Sequence, residues 1–162
     1  MESTDVLVIG SGIAGLCAAI EAARTGATVT VASAGKTMSG SSFFPGTWGL
    51  GLIGPVNEDD EQDLIDTILA VGGGVADPEL VQAFVHGIPQ AIDWLEQDLG
   101  VELQRPQSAK SAQQKQFIPC FDHKTRMWRG LTRKPLEDAL TTWIESLGIR
   151  LLPRHELIDL VE

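Results

Sequence analysis

Glycines at positions 10, 12 and 15, set between an apolar run and a helical pattern, leave this chain few folds to choose from. Val6-Leu7-Val8-Ile9 is a continuous apolar run, which predicts a strand buried on both faces in a parallel sheet. From Ile13 to Thr25 the residues Ile13, Leu16, Cys17, Ile20 and Ala23 recur at helical spacing, and Gly26 supplies the stop. Thr28-Val29-Thr30-Val31-Ala32 then reads as a second, β-branched strand. Strand, helix and strand form a βαβ unit with a right-handed crossover, the start of a Rossmann-type α/β domain. In Gly10-Ser11-Gly12-Ile13-Ala14-Gly15 each glycine has its own use. Gly10 permits the tight turn, Gly12 lets the backbone approach a ligand, and Gly15 lets the helix pack close to the strand, with Ala18 and Ala22 expected on the packing face. The helix presents free N–H groups at its positive end, so the ligand that fits is the pyrophosphate of a dinucleotide. The same fold with an empty site is the alternative.

An acid that hydrogen-bonds a ribose hydroxyl normally ends the second strand. Ala32 and Ser33 stand there instead, so NAD recognition through a carboxylate is unsupported, and the lack of a basic residue counts against NADP. Ser33 can still offer a hydroxyl to a ribose.

Beyond this unit, residues 33–55 are rich in glycine and hydroxyls without an apolar period, which predicts a long functional loop. Asp60 to Val71 has helical periodicity, ended by Gly72-Gly73-Gly74. Asp77-Pro78-Glu79 is a helix start, opening one helix or two over Leu80 to Leu99, with Trp94 and Leu95 facing inward. Arg105 to Phe121 is polar and predicts a mobile loop. Thr132 to Leu147 reads as a helix, followed by strand segments at Ile149 to Leu152 and Leu157 to Val161.

Several function classes are excluded by composition and spacing. A formal net charge of −10 opposes a phosphate-backbone partner, so no nucleic acid is expected. The acidic run Glu58, Asp59, Asp60, Glu61, Asp63 reads as a solvated helix start rather than a metal site. His86, His123 and His155 lack ligand spacing, and no metal is expected. His123, Arg126 and Arg129 cluster in sequence, either as a surface loop or as an attraction for a carboxylate or phosphate. Cys17 lies in an apolar helical run far from Cys120, which fits a reducing cytoplasm. No signal peptide or membrane span is evident. Trp94, Trp128 and Trp143 read as core or interface residues.

The stretch Asp5 to Gly15, followed by Gly40-Ser41-Ser42 and Gly46-Thr47-Trp48-Gly49-Leu50-Gly51, resembles the FAD-binding N-terminal part of the L-aspartate oxidase and fumarate reductase (succinate dehydrogenase) flavoprotein family. Asp77 to Val81, Ala91 to Leu95 and His155 to Val161 are similar to later segments of it. The resemblance implies FAD as cofactor. Ser11, Gly12, Ile13, Ala14 and Gly15, after the turn at Gly10, would hold the pyrophosphate; Ser33 and Ala34 the adenosine ribose; Gly40, Ser41 and Ser42 the phosphates or ribityl chain. Gly46, Thr47, Trp48 and Gly49 would line the isoalloxazine, and Leu157 would offer its backbone to the adenine. Some family members attach FAD through a histidine in the loop that here reads Ser41-Ser42-Phe43, so the cofactor is expected to be non-covalent.

Family members are several times longer, so the resemblance implies an incomplete N-terminal portion. It divides into a βαβ unit (1–32), a flavin-facing loop (33–55), a helical insertion (56–148) and a strand returning to the FAD site (149–162). The implied parent activity is hydride transfer between a small carboxylate-like substrate and FAD, with catalytic residues outside this stretch. A truncated sheet predicts an open edge, and with it a homo-oligomer or companion chain. A small non-catalytic subunit binding NAD or FAD, or an interaction domain, is the other possibility.

Overall fold

A computed structural model describes residues 3–44, 49–105, 117–118 and 122–159. The chain divides into two compact units, residues 1–50 with 132–162, and residues 51–131.

The first unit is a three-stranded parallel sheet with two helices. Its strands are β1 (Val6–Ile9), β2 (Val29–Ser33) and β7 (Arg150–Pro153), in the spatial order β1-β2-β7. Val6 aligns with Val29 and Ile9 with Ala32, while Thr30 aligns with Arg150 and Ser33 with Pro153. The central strand β2 is buried at every position, as its β-branched run requires. β1, expected to be covered on both faces, is not: Leu7 and Ile9 are 45% and 51% exposed, because β1 is an edge of this sheet. Helix α1 (Ile13–Arg24) packs on β1 and β2 through Leu16, Ala19, Ile20 and Ala23. Leu16, Ile20 and Ala23 are buried as their spacing predicts, but Ala18, expected beside them, is exposed, and Ala19 takes its place. Helix α4 (Arg133–Ser146) buries Leu136, Leu140 and Ile144, and its Trp143 ring lies 5.4 Å from the Arg24 guanidinium of α1. The later strand expected from Leu157 onward does not form at 157–159, and 160–162 lie outside the described residues.

The second unit carries α2 (Glu58–Val71), α3 (Pro78–Asp93) and short strands. Asn57 caps α2 by accepting from the Asp60 N–H, and Asp60 reaches back to the Val56 N–H at 2.8 Å, a reciprocal cap. Asp77 caps α3 by accepting from Glu79 and Leu80 N–H, as its sequence predicts. Pro89 sits inside α3, and a π-helical turn over Trp94–Asp98 follows it, with Leu95 buried and Trp94 half-buried. β3 (Gly49–Gly54), which starts at the unit boundary, pairs with β6 (Met127–Thr132); β4 (Phe117–Ile118) pairs antiparallel with β5 (Asp122–Thr125). The stretch 56–148, expected to be helical, thus also holds strands.

β3 corrects the expectation of a loop throughout 33–55. Its alternation Gly49-Leu50-Gly51-Leu52 is a strand with one face stripped of side chains. The Trp128 indole fills that space, since a Cβ on Gly51 would lie 2.8 Å from its Nε1, and one on Gly130 would strike the same ring. A second turn of structure, a 3-10 turn, forms at Ser41–Phe43.

The Arg126 side chain corrects another expectation. It is neither on a surface loop nor available to a phosphate, being fully buried between Asp60 and Asp63 and donating to Asp63 Oδ2 at 2.8 Å. The acidic run is a helix start as expected, but two of its carboxylates face this guanidinium.

Candidate nucleotide crevice

The three strands of the first unit all end at one crevice. Ile9 and Gly10 leave β1, Ser33, Ala34, Gly35 and Ser39 follow β2, and His155, Glu156 and Leu157 follow β7; together they line a cavity of about 460 Å³. Ligands of open α/β sheets bind outside the carboxyl ends of parallel strands, and this cavity occupies that position.

The glycine turn beside it is built as its sequence suggests. Gly10 has φ +105°, a conformation that L side chains rarely adopt, and its N–H donates to the Ala32 carbonyl at 2.7 Å. A Cβ on Gly15 would overlap the Gly10 carbonyl oxygen and lie 3.4 Å from Val8 Cγ1, so α1 starts against the turn with no room for a side chain. A Cβ on Gly12 would meet only the Ser39 carbonyl, at 3.5 Å. The first intrahelical bond of α1 runs from Leu16 N–H to Gly12 O, so the N–H groups of Ile13, Ala14 and Gly15 precede the ladder. No side chain caps this end and no acid stands in its first turn, whereas α2 has an Asn57 cap and four acids there. The positive end of α1 is thereby left to a ligand's negative charge.

Serines tie the following loop to this turn. Ser11 Oγ, buried, donates to Ser33 Oγ at 2.9 Å and lies 3.2 Å from both the Lys36 carbonyl and Ser39 Oγ. The Ser39 N–H returns to the Ser11 carbonyl at 3.2 Å, which brings Gly40 over the turn: a Cβ on Gly40 would sit 3.7 Å from Gly12 Cα. The Ser33 hydroxyl, expected to be on offer to a ribose, accepts here from Ser11 Oγ, and the backbone of Ser11 is still placed at the turn. Residues 46–48 of the expected isoalloxazine contacts lie outside the described residues. The sequence gives no local sign of Ser39, which reaches the turn by its bonds to Ser11, and it points to His155 and Glu156 only through the resemblance of the segment His155 to Val161, since the parallel pairing of β2 with β7 is what brings them to the cavity.

Across residues 5–162 the chain matches the family model described as FAD binding domain. This chain belongs to the FAD binding domain family. It is 37% identical over 163 residues to the L-aspartate oxidase of Halobacterium salinarum, which takes in 99% of this chain and 29% of that protein. It is 27% identical over 165 residues to the vinyl phenol reductase of Lactiplantibacillus plantarum, covering 98% of this chain and 31% of that one. Its fold is shared with the open conformation of a flavocytochrome c3 fumarate reductase, with a TM-score of 0.69, 22% identity, and coverage of 99% of this chain and 28% of the other. The FAD-binding domain thus spans about three tenths of these relatives' length. Its cofactor is FAD. Among the described residues no group of histidine, cysteine, aspartate or glutamate could hold a metal ion, and no helix is long and apolar enough to cross a membrane.

Proposed function

We propose that the crevice holds the ADP half of FAD non-covalently, with the diphosphate on the N–H groups of Gly12, Ile13, Ala14 and Gly15. The observation that carries this is the uncapped, acid-free start of α1 beside a cavity lined from three strand ends. Ser33 and Ala34 border the ribose region, Gly40, Ser41 and Ser42 the phosphates or ribityl chain, Leu157 the adenine, and Gly46 to Gly49 the isoalloxazine. When bound, FAD supplies two-electron redox chemistry, and the domain supplies orientation and charge at the diphosphate. The parent activity we infer is a flavin-dependent oxidation or reduction of a small carboxylate-like substrate, supported by relatives named as oxidase and reductase. A cytoplasmic setting, and a companion strand or second copy on the open edge of β1, complete the proposal.

Flavin fluorescence tests it. FAD titrated with the chain is expected to show saturable quenching that excess ADP reverses; FAD that remains unquenched and passes freely through a gel-filtration column would reject the assignment.

A further inference from the structure

The crevice lacks the usual acid at the end of β2, yet it has a carboxylate. We infer that Glu156 recognises the ribose diol of the adenosine half, acting from the end of β7 where other βαβ nucleotide sites act from β2. The inference rests on the assignment of this crevice to the ADP half of FAD.

The β2 exit has little to offer a diol. Ser33 Oγ is buried and held by Ser11 Oγ at 2.9 Å, Ala34 has no polar side chain, and Gly35 has none at all. Among the described residues lining the cavity, Glu156 alone carries a carboxylate. It is exposed, and among the described residues it has no hydrogen bond or ion pair.

Its place is fixed by the backbone before it. Arg154 takes a left-handed φ of +59°, unusual for a residue with a side chain, and its N–H donates to the Gly35 carbonyl at 2.8 Å. The His155 N–H donates to the Ser33 carbonyl at 2.9 Å, and His155 Nδ1 lies 2.8 Å from the Pro153 carbonyl. These bonds clamp the β7 exit onto the β2 exit and carry Glu156 to the cavity wall. The two oxygens of a carboxylate accept from the two hydroxyls of a diol, and charged acceptors make the stronger hydrogen bonds. A phosphate on the 2′ oxygen would meet like charge at the same point.

Calorimetric titration of the chain with ADP, 2′-deoxy-ADP and 3′-deoxy-ADP tests this, comparing wild type with Glu156→Gln and Glu156→Ala. The substitutions are expected to weaken ADP by about tenfold. Each deoxy analogue keeps one hydroxyl, so each should bind wild type more weakly than ADP and lose less affinity than ADP does on either substitution. Unchanged ADP affinity in both variants, or equal weakening of ADP and both analogues, overturns the role of Glu156. Failure of wild type to bind ADP overturns the crevice assignment itself, and this inference with it. A thermal melt matching wild type shows that each variant is folded, as an exposed and unbonded side chain predicts.

Discussion

Gly15→Ala separates close packing from ordinary helix propensity, because the two push stability in opposite directions. Alanine in place of glycine favours a helix by up to about 1 kcal/mol. Here the added methyl overlaps the Gly10 carbonyl oxygen and sits 3.2 Å from the Gly10 carbonyl carbon and 3.4 Å from Val8 Cγ1. Backbone cannot rotate out of the way as a flexible side chain can, so α1 must lift from β1 by about 1 Å, and overpacking of this kind costs about 1–3 kcal/mol. The net loss is then up to about 2 kcal/mol. With a urea slope of about 2 kcal/mol per molar, the midpoint followed by far-UV circular dichroism falls by up to about 1 M. The same displacement moves the N–H groups of α1 off the diphosphate, so ADP affinity falls together with the midpoint. A midpoint that rises, with ADP affinity unchanged, would refute the close approach of α1 to the turn.

Other outcomes follow from buried charge and from a half-buried thiol. Arg126→Leu removes the buried guanidinium that Asp60 and Asp63 share, and the urea stability is expected to fall by about 3 kcal/mol; unchanged stability would contradict the buried pairing. Burial, and then the nearby Glu21 carboxylate, push the Cys17 thiol up to about 11 from its usual 9.0. Its thiolate at pH 8 is therefore about a hundredfold scarcer than in the unfolded chain, and peptide mapping should show alkylation of Cys17 slowed accordingly until urea is added. Because the folded state holds this proton more tightly, the stability it confers is complete below pH 9 and is lost as pH rises toward 11. Rapid alkylation of native Cys17 at pH 8 would show the helix face to be open.

The βαβ unit was legible in the sequence because each of its signals is local: an apolar strand, a spaced glycine turn, a helical period and a β-branched strand. β3 was not, since Gly49, Gly51 and Gly54 look like loop residues until Trp128, far along the chain, fills the space beside Gly51. The burial of Arg126 is hidden from the sequence for the same reason, its two carboxylates lying 63 and 66 positions earlier. Within the crevice, Gly10, Gly12 and Gly15 announced themselves by spacing. Glu156 and His155 were announced only by the family resemblance of their segment, because the pairing of Ser33 with Pro153 that carries them to the site is a register no local pattern encodes. The exposed face of Leu7 and Ile9 was equally hidden, because an apolar run does not say whether a neighbouring strand is present.

Central to all of this is a diphosphate resting on main chain at Gly12, and one comparison addresses it directly: the ADP affinity of wild type against Gly12→Ala at equal stability. Gly12 has φ −72° and ψ 172°, a backbone any residue adopts, and its added methyl meets only the Ser39 carbonyl at 3.5 Å. The unfolding free energy in urea should therefore hold within about 0.5 kcal/mol, while ADP affinity drops at least tenfold because the methyl occupies the space the phosphate needs. Equal ADP affinity in the two proteins would contradict the account.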